Sequence, residues 1–236
     1  MVKLIAFDLD GTLTQHKTPL EEENRRVLDA LRAKYAMVMV GAGAVMRIHR
    51  QLGNYPIDVI GNYGLEYGEY DDISKELVVK RSTVLPCDRG RVSERVAFFR
   101  NKYGFTDYSG DSVEFHASGA VTLPILGTKA KQEDKLAFDP DRSKRRAIWR
   151  EAATLFPEYR VFIGGSSSFD MIPEPYDKKY ALELYCRERG FKHNEVLFVG
   201  DDYGEGGNDE PIYLSDFGFR RIDDYRTLGK ILNDLI

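Results

Sequence analysis

The most constraining feature of the sequence is a short apolar run that ends in two carboxylates near the start of the chain. Leu4–Phe7 has the length of a strand and is followed at once by residues 8–12 (DLDGT). An apolar run bounded in this way predicts a buried parallel strand. Open α/β sheets place their chemistry at the carboxyl ends of such strands. Because alternate side chains of a strand share one side, Asp8 and Asp10 are expected to lie about 6.5 Å apart.

Two carboxylates this close repel one another unless a cation lies between them. Mg²⁺ is the expected cation, because it takes hard oxygen ligands and shares them with phosphates. One aspartate would then be a nucleophile that forms an aspartyl-phosphate, and the other would handle protons. The alternative is a strand followed by an Asp/Gly turn without chemistry, and a bare Asp-x-Asp-Gly leaves both interpretations open.

Composition narrows the class of protein. The chain has 236 residues, 42% hydrophobic, which is enough for one large or two modest domains. A net charge of −4 gives no electrostatic case for nucleic acid or an anionic membrane. Cys87 and Cys186 are far apart, which indicates buried free thiols in a reducing compartment. No leader or spanning segment is apparent, so a cytoplasmic protein is expected.

The first sixty residues and the last sixty have an alternating pattern. Strands are predicted over residues 35–40, 57–60 and 196–200, and helices over 19–33, 177–189 and 225–235, with a further helix ending near Leu52. Strands that alternate with helices indicate an α/β parallel sheet with helices on both faces.

The pattern changes between about residue 77 and residue 173. Helices are predicted over residues 92–102 and 143–156, and short strands over 112–116, 120–124, 160–163 and 168–172. This grouping is typical of an α+β unit inserted into the first domain. The predicted layout is a discontinuous core, residues 1–82 and 174–236, with an inserted cap over residues 83–173.

Two later stretches carry further chemistry. Lys178 opens a predicted helix, where the helix dipole disfavours a cation, so its position requires a reason. It would neutralise a phosphoryl group and the aspartates; a solvated surface lysine is the alternative. The strand 196–200 ends in Asp201 and Asp202, and residues 203–209 (YGEGGND) follow. These oxygens would complete an octahedral Mg²⁺ site.

The motifs resemble a known superfamily. Residues 7–14 (FDLDGTLT) look like the signature of the haloacid-dehalogenase-type phosphatases and phosphomutases. Nearly the whole chain is similar to the eukaryote-type phosphomannomutases, through residues 62–65 (NYGL), 164–170 (GGSSSFD), Pro173, 177–180 (DKKY) and 206–209 (GGND).

The resemblance implies a fold and a set of roles. It implies a Rossmann-like, doubly wound core and an α+β cap that selects the sugar. Asp8 would be the nucleophile, Asp10 the acid and base, and Lys178 the residue that holds the phosphoryl group. From the cap, Ser168 and Asp170 would contact the sugar. The predicted Mg²⁺ ligands are Asp8, Asp10, Asp201, Asn208 and Asp209, with Asp202 less well supported.

The sequence also departs from that family. The family has Gly-Gly-Ser-Asp after its second core strand, whereas residues 41–44 are GAGA here; Gly41 and Ala42 are still expected to contact substrate. The family clamps the distal phosphate with arginines, and the corresponding residues are Lys17, His116, Thr128 and Lys135. Arginine binds phosphate in a bidentate manner, while lysine is a point charge and threonine is neutral. A weaker clamp favours loss of a bisphosphate intermediate or attack by water.

Three functions follow from these observations. The first is a Mg²⁺-dependent phosphatase acting on a small phosphate ester, a hexose phosphate above all. The second is a phosphomannomutase, and the third a non-catalytic sugar-phosphate-binding module, which would need no nucleophile. A nucleotide-binding Rossmann protein is a poor fourth, because Gly41-Ala42-Gly43 lacks the third glycine of that fingerprint. A homodimer through the cap is left open.

Overall fold

A computed structural model describes residues 1–236. The strands are β1 (Leu4–Phe7), β2 (Ala36–Val40), β3 (Asp58–Gly61), β4 (Glu66–Asp71), β5 (Glu76–Ser82), β6 (Glu114–Phe115), β7 (Val121–Pro124), β8 (Tyr159–Gly164), β9 (Ser168–Pro173), β10 (Val196–Gly200) and β11 (Gly218–Arg221). The helices are α1 (Glu22–Arg32), α2 (Val45–Gln51), α3 (Arg89–Tyr103), α4 (Gln132–Phe138), α5 (Ser143–Leu155), α6 (Lys178–Arg189), α7 (Glu210–Tyr213) and α8 (Leu228–Ile231).

The chain forms two compact units. The first consists of residues 1–83, 177–203 and 209–236, and the second of residues 84–176 and 204–208. The predicted cap, residues 83–173, lies within the second unit except for its first residue. The second unit also contains residues 174–176 and the loop 204–208, which the sequence placed in the core.

The first unit is built on a seven-stranded sheet in the order β11-β10-β1-β2-β3-β4-β5. The five strands from β11 to β3 are parallel, and β4 and β5 extend the sheet as an antiparallel hairpin. Phe7 of β1 is in register with Met39 of β2 on one side and Val199 of β10 on the other. From β1 to β5 each new strand is added on one side of β1, and β10 and β11 are added on its other side. Asp8 therefore follows a strand at the topological switch point of the sheet, where α/β sheets bind ligands.

Both faces of β1 are covered, which explains its uninterrupted apolar sequence. Ile5 and Phe7 belong to one hydrophobic cluster, and Leu4 and Ala6 belong to the cluster on the other face. All four side chains are fully buried. The predicted α/β architecture with a parallel sheet is therefore confirmed.

The second unit is an α+β structure. Its antiparallel sheet has the order β6-β7-β9-β8. Residues from α3, α5 and this sheet share one hydrophobic core, which includes Val96, Phe99, Phe156 and Phe169. Ser168 and Asp170 are alternate residues of β9 and therefore lie on one face of the sheet.

Several local predictions differ from the structure. The predicted helix over residues 225–235 is wrong: a 3₁₀ turn at Tyr225–Thr227 is followed by the single turn of α8. The β4–β5 hairpin, α4, α7 and β11 were not predicted from the sequence. Both cysteines are free thiols as expected, although Cys87 is only partly buried. No helix of the structure has the length and apolar character needed to cross a membrane.

Candidate active site

The centre of the site is a buried lysine between two aspartates. The Nζ of Lys178 lies 2.5 Å from Oδ1 of Asp8 and 2.7 Å from Oδ1 of Asp209. The Lys178 and Asp209 side chains are completely buried, and that of Asp8 is 9% exposed. Asp177 caps the helix that carries Lys178 by accepting a hydrogen bond from the backbone N–H of Tyr180. A lysine in the first turn of a helix is explained here by two carboxylates that outweigh the dipole.

The electrostatics of this cluster keep the lysine charged. Burial by itself lowers the pKa of the Lys178 ammonium, but the carboxylates of Asp209 and Asp8 outweigh burial, and the net pKa is raised. Burial raises the pKa of Asp209 to about 6, with Lys178 opposing the shift and Asp8 adding to it. The lysine is therefore a permanent cation beside Asp8.

A third carboxylate, Asp201, completes the acidic cluster. Carboxylate oxygens of Asp8, Asp201 and Asp209 all lie within 4.8 Å of one another. Two glycines make the approach possible. A Cβ on Gly11, whose φ is +97°, would lie 2.4 Å from Oδ2 of Asp201, and a Cβ on Gly200 would lie 2.4 Å from Oδ2 of Asp209.

This cluster has the chemistry of a divalent-cation site. Three hard oxygen donors converge on one point, and such oxygens are the ligands that Mg²⁺ prefers. In the same loop, the Thr12 hydroxyl is fully buried and has no hydrogen-bond partner, as is typical of a group that a ligand satisfies. The residues present fit Mg²⁺.

Asp10 lies outside this cluster and has a different set of contacts. Its Oδ1 accepts hydrogen bonds from the backbone N–H of Lys17 and from Nε2 of Gln51, both at 2.7 Å. Its Oδ2 is 3.9 Å from Nδ1 of His16. These contacts suit an acid and base better than a metal ligand, because Oδ1 is already an acceptor of two N–H groups and Oδ2 is left to carry a proton.

The other predicted ligands of the metal loop have distinct positions. The backbone N–H of Asp202 donates to Oδ2 of Asp209 at 3.1 Å, so Asp202 supports a ligand through its main chain. Asn208 is partly exposed and belongs to the loop 204–208 of the second unit. In that unit the loop is held by a hydrogen bond from the backbone N–H of Ile163 to the carbonyl of Gly206, and by the ion pair of Arg150 with Glu205. Metal ligation by Asn208 stays a prediction.

The remaining predicted residues of the first unit contribute backbone. Lys17 has an exposed side chain and a left-handed backbone, with φ of 58°, that directs its N–H to Asp10. Gly41 is buried; its N–H donates to Ile60 and its carbonyl accepts from Tyr63. Ala42 is partly exposed. Substrate contacts by these three residues stay predictions.

In the second unit, Ser168 and Asp170 lie on β9, and His116 directly follows β6 of the same sheet. His116 Nε2 lies 2.9 Å from the Thr122 hydroxyl, which in turn donates to Oδ1 of Asp170 at 3.3 Å. The Ser168 hydroxyl donates to the carbonyl of Gly164. Thr122 was missed by sequence reading because an isolated threonine in a strand carries no signal of its own.

Thr128 and Lys135 form a separate pair. Lys135 Nζ donates to the carbonyl of Thr128 at 3.3 Å. The Thr128 hydroxyl accepts from the backbone N–H of Asp111 and donates to its carboxylate. The Asp111 carboxylate beside this hydroxyl repels anions, which disfavours a strong phosphate site here.

A second buried ion pair supports the turn between β8 and β9, next to Ser168. Arg145 and Asp139 are almost fully buried, with Arg145 Nε 2.8 Å from Oδ2 of Asp139. Arg145 Nη1 also donates to the carbonyls of Gly164, Gly165 and Ser168. This pair was not predicted from the sequence, because charges in a basic helix are ordinarily solvated.

Comparisons with known proteins identify relatives of this chain. The family model described as eukaryotic phosphomannomutase matches residues 24–222. The phosphomannomutase of Saccharomyces cerevisiae is 28% identical, over 96% of this chain and 87% of the yeast protein. A probable phosphomannomutase of Caenorhabditis elegans is 25% identical, over 96% of this chain and 88% of the nematode protein.

Solved structures with low sequence identity share the fold. IMP-bound Plasmodium falciparum IMP-nucleotidase, truncated at its N-terminus, has a TM-score of 0.69 at 14% identity, covering 99% of this chain and 68% of that one. A phosphatase of the haloalkanoate enzyme superfamily from Bacteroides thetaiotaomicron has a TM-score of 0.66 at 16% identity, covering 100% and 95%.

Proposed function

Because the chain belongs to the eukaryotic phosphomannomutase family, we propose that it catalyses Mg²⁺-dependent hydrolysis of a hexose phosphate through a phosphorylated Asp8. The predicted haloacid-dehalogenase fold and the prediction of a phosphoryl-transfer enzyme are both confirmed by the matches. The observation that carries the proposal is the buried contact of Lys178 with Asp8, next to Asp201 and Asp209. A binding module has no need of a nucleophile held in this way.

In the first step the Asp8 carboxylate attacks phosphorus in line with the ester oxygen. A P–O bond to Asp8 forms, the bond to the sugar oxygen breaks, and that oxygen takes the proton of Asp10 Oδ2. Lys178, as a fixed cation beside Asp8, stabilises the charge on the phosphoryl oxygens. The contact between Lys178 and Asp8 holds the cation beside the nucleophile.

The acidic cluster defines the cofactor. Asp8, Asp201 and Asp209 would hold Mg²⁺, which supplies positive charge for the nucleophile and the phosphoryl oxygens. Gly11 and Gly200 keep the space that lets Asp201 and Asp209 converge.

In the second step Asp10, now a carboxylate, takes a proton from water. The oxygen of this water attacks phosphorus, the bond to Asp8 breaks, and inorganic phosphate leaves with Asp8 regenerated. The two hydrogen bonds to Oδ1 of Asp10 keep Oδ2 as the proton-carrying atom in both steps.

Hydrolysis is preferred over isomerisation because of the predicted distal-phosphate residues. None of Lys17, His116, Thr128 and Lys135 offers a guanidinium, and Thr128 is hydrogen-bonded to a carboxylate. A mutase must keep a bisphosphorylated intermediate while it reorients, which requires a strong anion clamp.

The free thiols of Cys87 and Cys186 support a reducing compartment such as the cytoplasm.

Phosphomannomutase activity is the second candidate. It is favoured by the family match over residues 24–222 and by relatives that carry this name. The two functions share the phosphorylation of Asp8 and differ only in whether water or the sugar phosphate takes the phosphoryl group from it.

A paired assay separates the two functions. The enzyme is incubated with Mg²⁺, mannose 1-phosphate and a catalytic amount of hexose 1,6-bisphosphate, and free phosphate and mannose 6-phosphate are both measured. Phosphate release that does not need the bisphosphate supports the proposed hydrolase. Formation of mannose 6-phosphate without phosphate release would overturn it in favour of the mutase. If neither product forms, the hexose assignment is wrong and a wider set of phosphate esters is the next test.

A further inference from the structure

The guanidinium of Arg47 lies directly on the backbone of Gly43. A Cβ built on Gly43 would be 1.9 Å from Arg47 Nη2, 2.4 Å from its Cζ and 2.5 Å from its Nε. Gly43 does not have the positive φ that would otherwise require glycine. The absence of a side chain at position 43 therefore makes room for this arginine at the carboxyl end of β2, next to the strand that carries Asp8.

From this position Arg47 is connected to the proposed acid and base. Its Nη1 donates to Oε1 of Gln51 at 2.8 Å. The Nε2 of Gln51 donates to Oδ1 of Asp10 at 2.7 Å and lies 3.0 Å from the Thr14 hydroxyl. Arg47 and Gln51 are both partly buried. Two hydrogen bonds thus connect a cation to the carboxylate that must give up and accept the proton.

The direction of these bonds has a chemical consequence. Arginine has donors only, so its partner on Gln51 must be the amide oxygen, and the NH₂ group must face Asp10. Without this constraint the Gln51 amide can rotate and turn its oxygen toward Asp10. That oxygen would then accept a hydrogen bond from a proton carried on Oδ1 of Asp10. With Arg47 present, Oδ1 receives N–H groups from Gln51 and Lys17, and the proton is confined to Oδ2.

We propose that Arg47 is a positioning residue for acid–base catalysis: it fixes the orientation of the Gln51 amide and thereby places the proton of Asp10 on Oδ2. The inference rests on the proposed function, because it assigns Asp10 the role of acid and base. The alternative is a purely structural role, in which Arg47 and Gln51, four residues apart on α2, only stabilise the helix. The two interpretations differ in what they predict for leaving groups.

The experiment compares two esters that differ in their need for an acid. The alkoxide of mannose 6-phosphate requires a proton as it leaves, whereas p-nitrophenolate leaves without one. The value of kcat/KM reports the steps up to formation of the phosphoenzyme. For Arg47→Ala we expect kcat/KM to fall about 10- to 100-fold with mannose 6-phosphate, part of the usual contribution of a general acid, and less than about threefold with p-nitrophenyl phosphate.

A set of variants makes the test specific. Gly43→Ala, whose new methyl group displaces the guanidinium, should reproduce the selective loss and should have no further effect in the Arg47→Ala background. Arg47→Lys keeps a donor for Gln51 and should retain most of the activity on mannose 6-phosphate. Arg50→Ala, which removes an exposed arginine of the same helix, should leave both values unchanged.

Each outcome decides the question. Equal losses on both esters, additive effects of Gly43→Ala and Arg47→Ala, or an Arg47→Ala enzyme that behaves like Arg50→Ala would overturn the inference. Wild-type turnover of the esters together with one of these results leaves the proposed function intact. A wild-type enzyme that forms no phosphoenzyme from either ester rejects the proposed function, and the inference with it.

Discussion

Each of the two units contains a buried ion pair, and the two pairs differ in their balance of charge. In the second unit, Arg145 meets one carboxylate, that of Asp139, and its other N–H groups donate to backbone carbonyls. In the first unit, Lys178 contacts both Asp8 and Asp209, and Asp201 lies close to them. The pair of Arg145 and Asp139 joins one cation to one carboxylate, whereas Lys178 lies in a group with three carboxylates.

This difference distinguishes a buried ion pair that has a structural role from a buried cluster that has a chemical role. A neutral, fully hydrogen-bonded pair needs no further partner and keeps its surroundings in one conformation. A cluster of three hard carboxylate oxygens favours binding of a divalent cation, because such cations take oxygen ligands. The comparison predicts that removing a carboxylate will have opposite consequences in the two units.

The largest expected effect is on catalysis. Asp8→Asn removes the nucleophile and should lower kcat by roughly 10⁴-fold or more, as is usual for such residues. The melting temperature should be unchanged or raised, because Lys178 keeps its buried contact with Asp209. Phosphate release, trapping of the phosphoprotein and thermal unfolding test both halves of the prediction. Near-wild-type turnover in this variant would mean that Asp8 is not the nucleophile.

The next largest effect is expected when the same aspartate-to-asparagine change is made in the pair of Arg145 and Asp139. Asp139→Asn removes the buried carboxylate that contacts the guanidinium of Arg145, and we expect the free energy of unfolding to fall by about 3–5 kcal/mol. Urea unfolding measures it, with Asp209→Asn as the matched variant. A larger loss of stability in Asp209→Asn than in Asp139→Asn would contradict the assigned charge balance.

The pH dependence follows from the same pair. Burial acts to raise the pKa of Asp139, but hydrogen bonds from Arg145 and Lys144 outweigh it, and the net pKa is lowered. A carboxylate with a lower pKa in the folded state stabilises the protein above its unfolded pKa, and this stabilisation is lost as pH falls through the folded pKa. Below about pH 4, the wild type should therefore lose more stability on further acidification than Asp139→Asn, measured by urea unfolding across pH.

A smaller effect on stability is expected from the binding of Mg²⁺. Mg²⁺ at 100 times its dissociation constant should stabilise the wild type by about 2.7 kcal/mol, and a chelator should reverse the shift in melting temperature. Asp201→Asn should lose most of this shift, while Asp139→Asn should keep it. An equal shift in the wild type and Asp201→Asn would place the cation elsewhere.

The smallest effect concerns two glycines with positive φ. Gly190→Ala strains the end of α6, where nothing lies within 4 Å of the new Cβ, and should cost about 1 kcal/mol without any change in Mg²⁺ affinity. Gly11→Ala has a similar strain and also drives a methyl group into Asp201, so it should weaken Mg²⁺ binding about tenfold as well. Calorimetric titration with Mg²⁺ distinguishes the two, and equal affinities would show that Gly11 is needed only for its backbone.

Much of the fold could be predicted from local pattern. The apolar run before Asp8 and the run 196–200 had to be buried parallel strands, since only strands covered on both faces are apolar throughout. The antiparallel hairpin of β4 and β5 was missed, because its alternation is weak and charged residues such as Lys80 and Arg81 interrupt it. The helix predicted over residues 225–235 is reduced to one turn, and helix ends depend on tertiary contacts that a periodic pattern does not contain.

The sequence by itself determined the chemistry of the site: acids at the ends of two buried strands, a glycine to let the chain turn, and a lysine at a helix start. Only the tertiary structure decided which of these charges meet. Lys178 and Asp8 are 170 residues apart in the chain, and Gln51 and Asp10 are 41 apart. Coulomb energy and hydrogen bonding depend on distances of a few ångströms, and such distances between remote segments exist only once the sheet has brought their strands together.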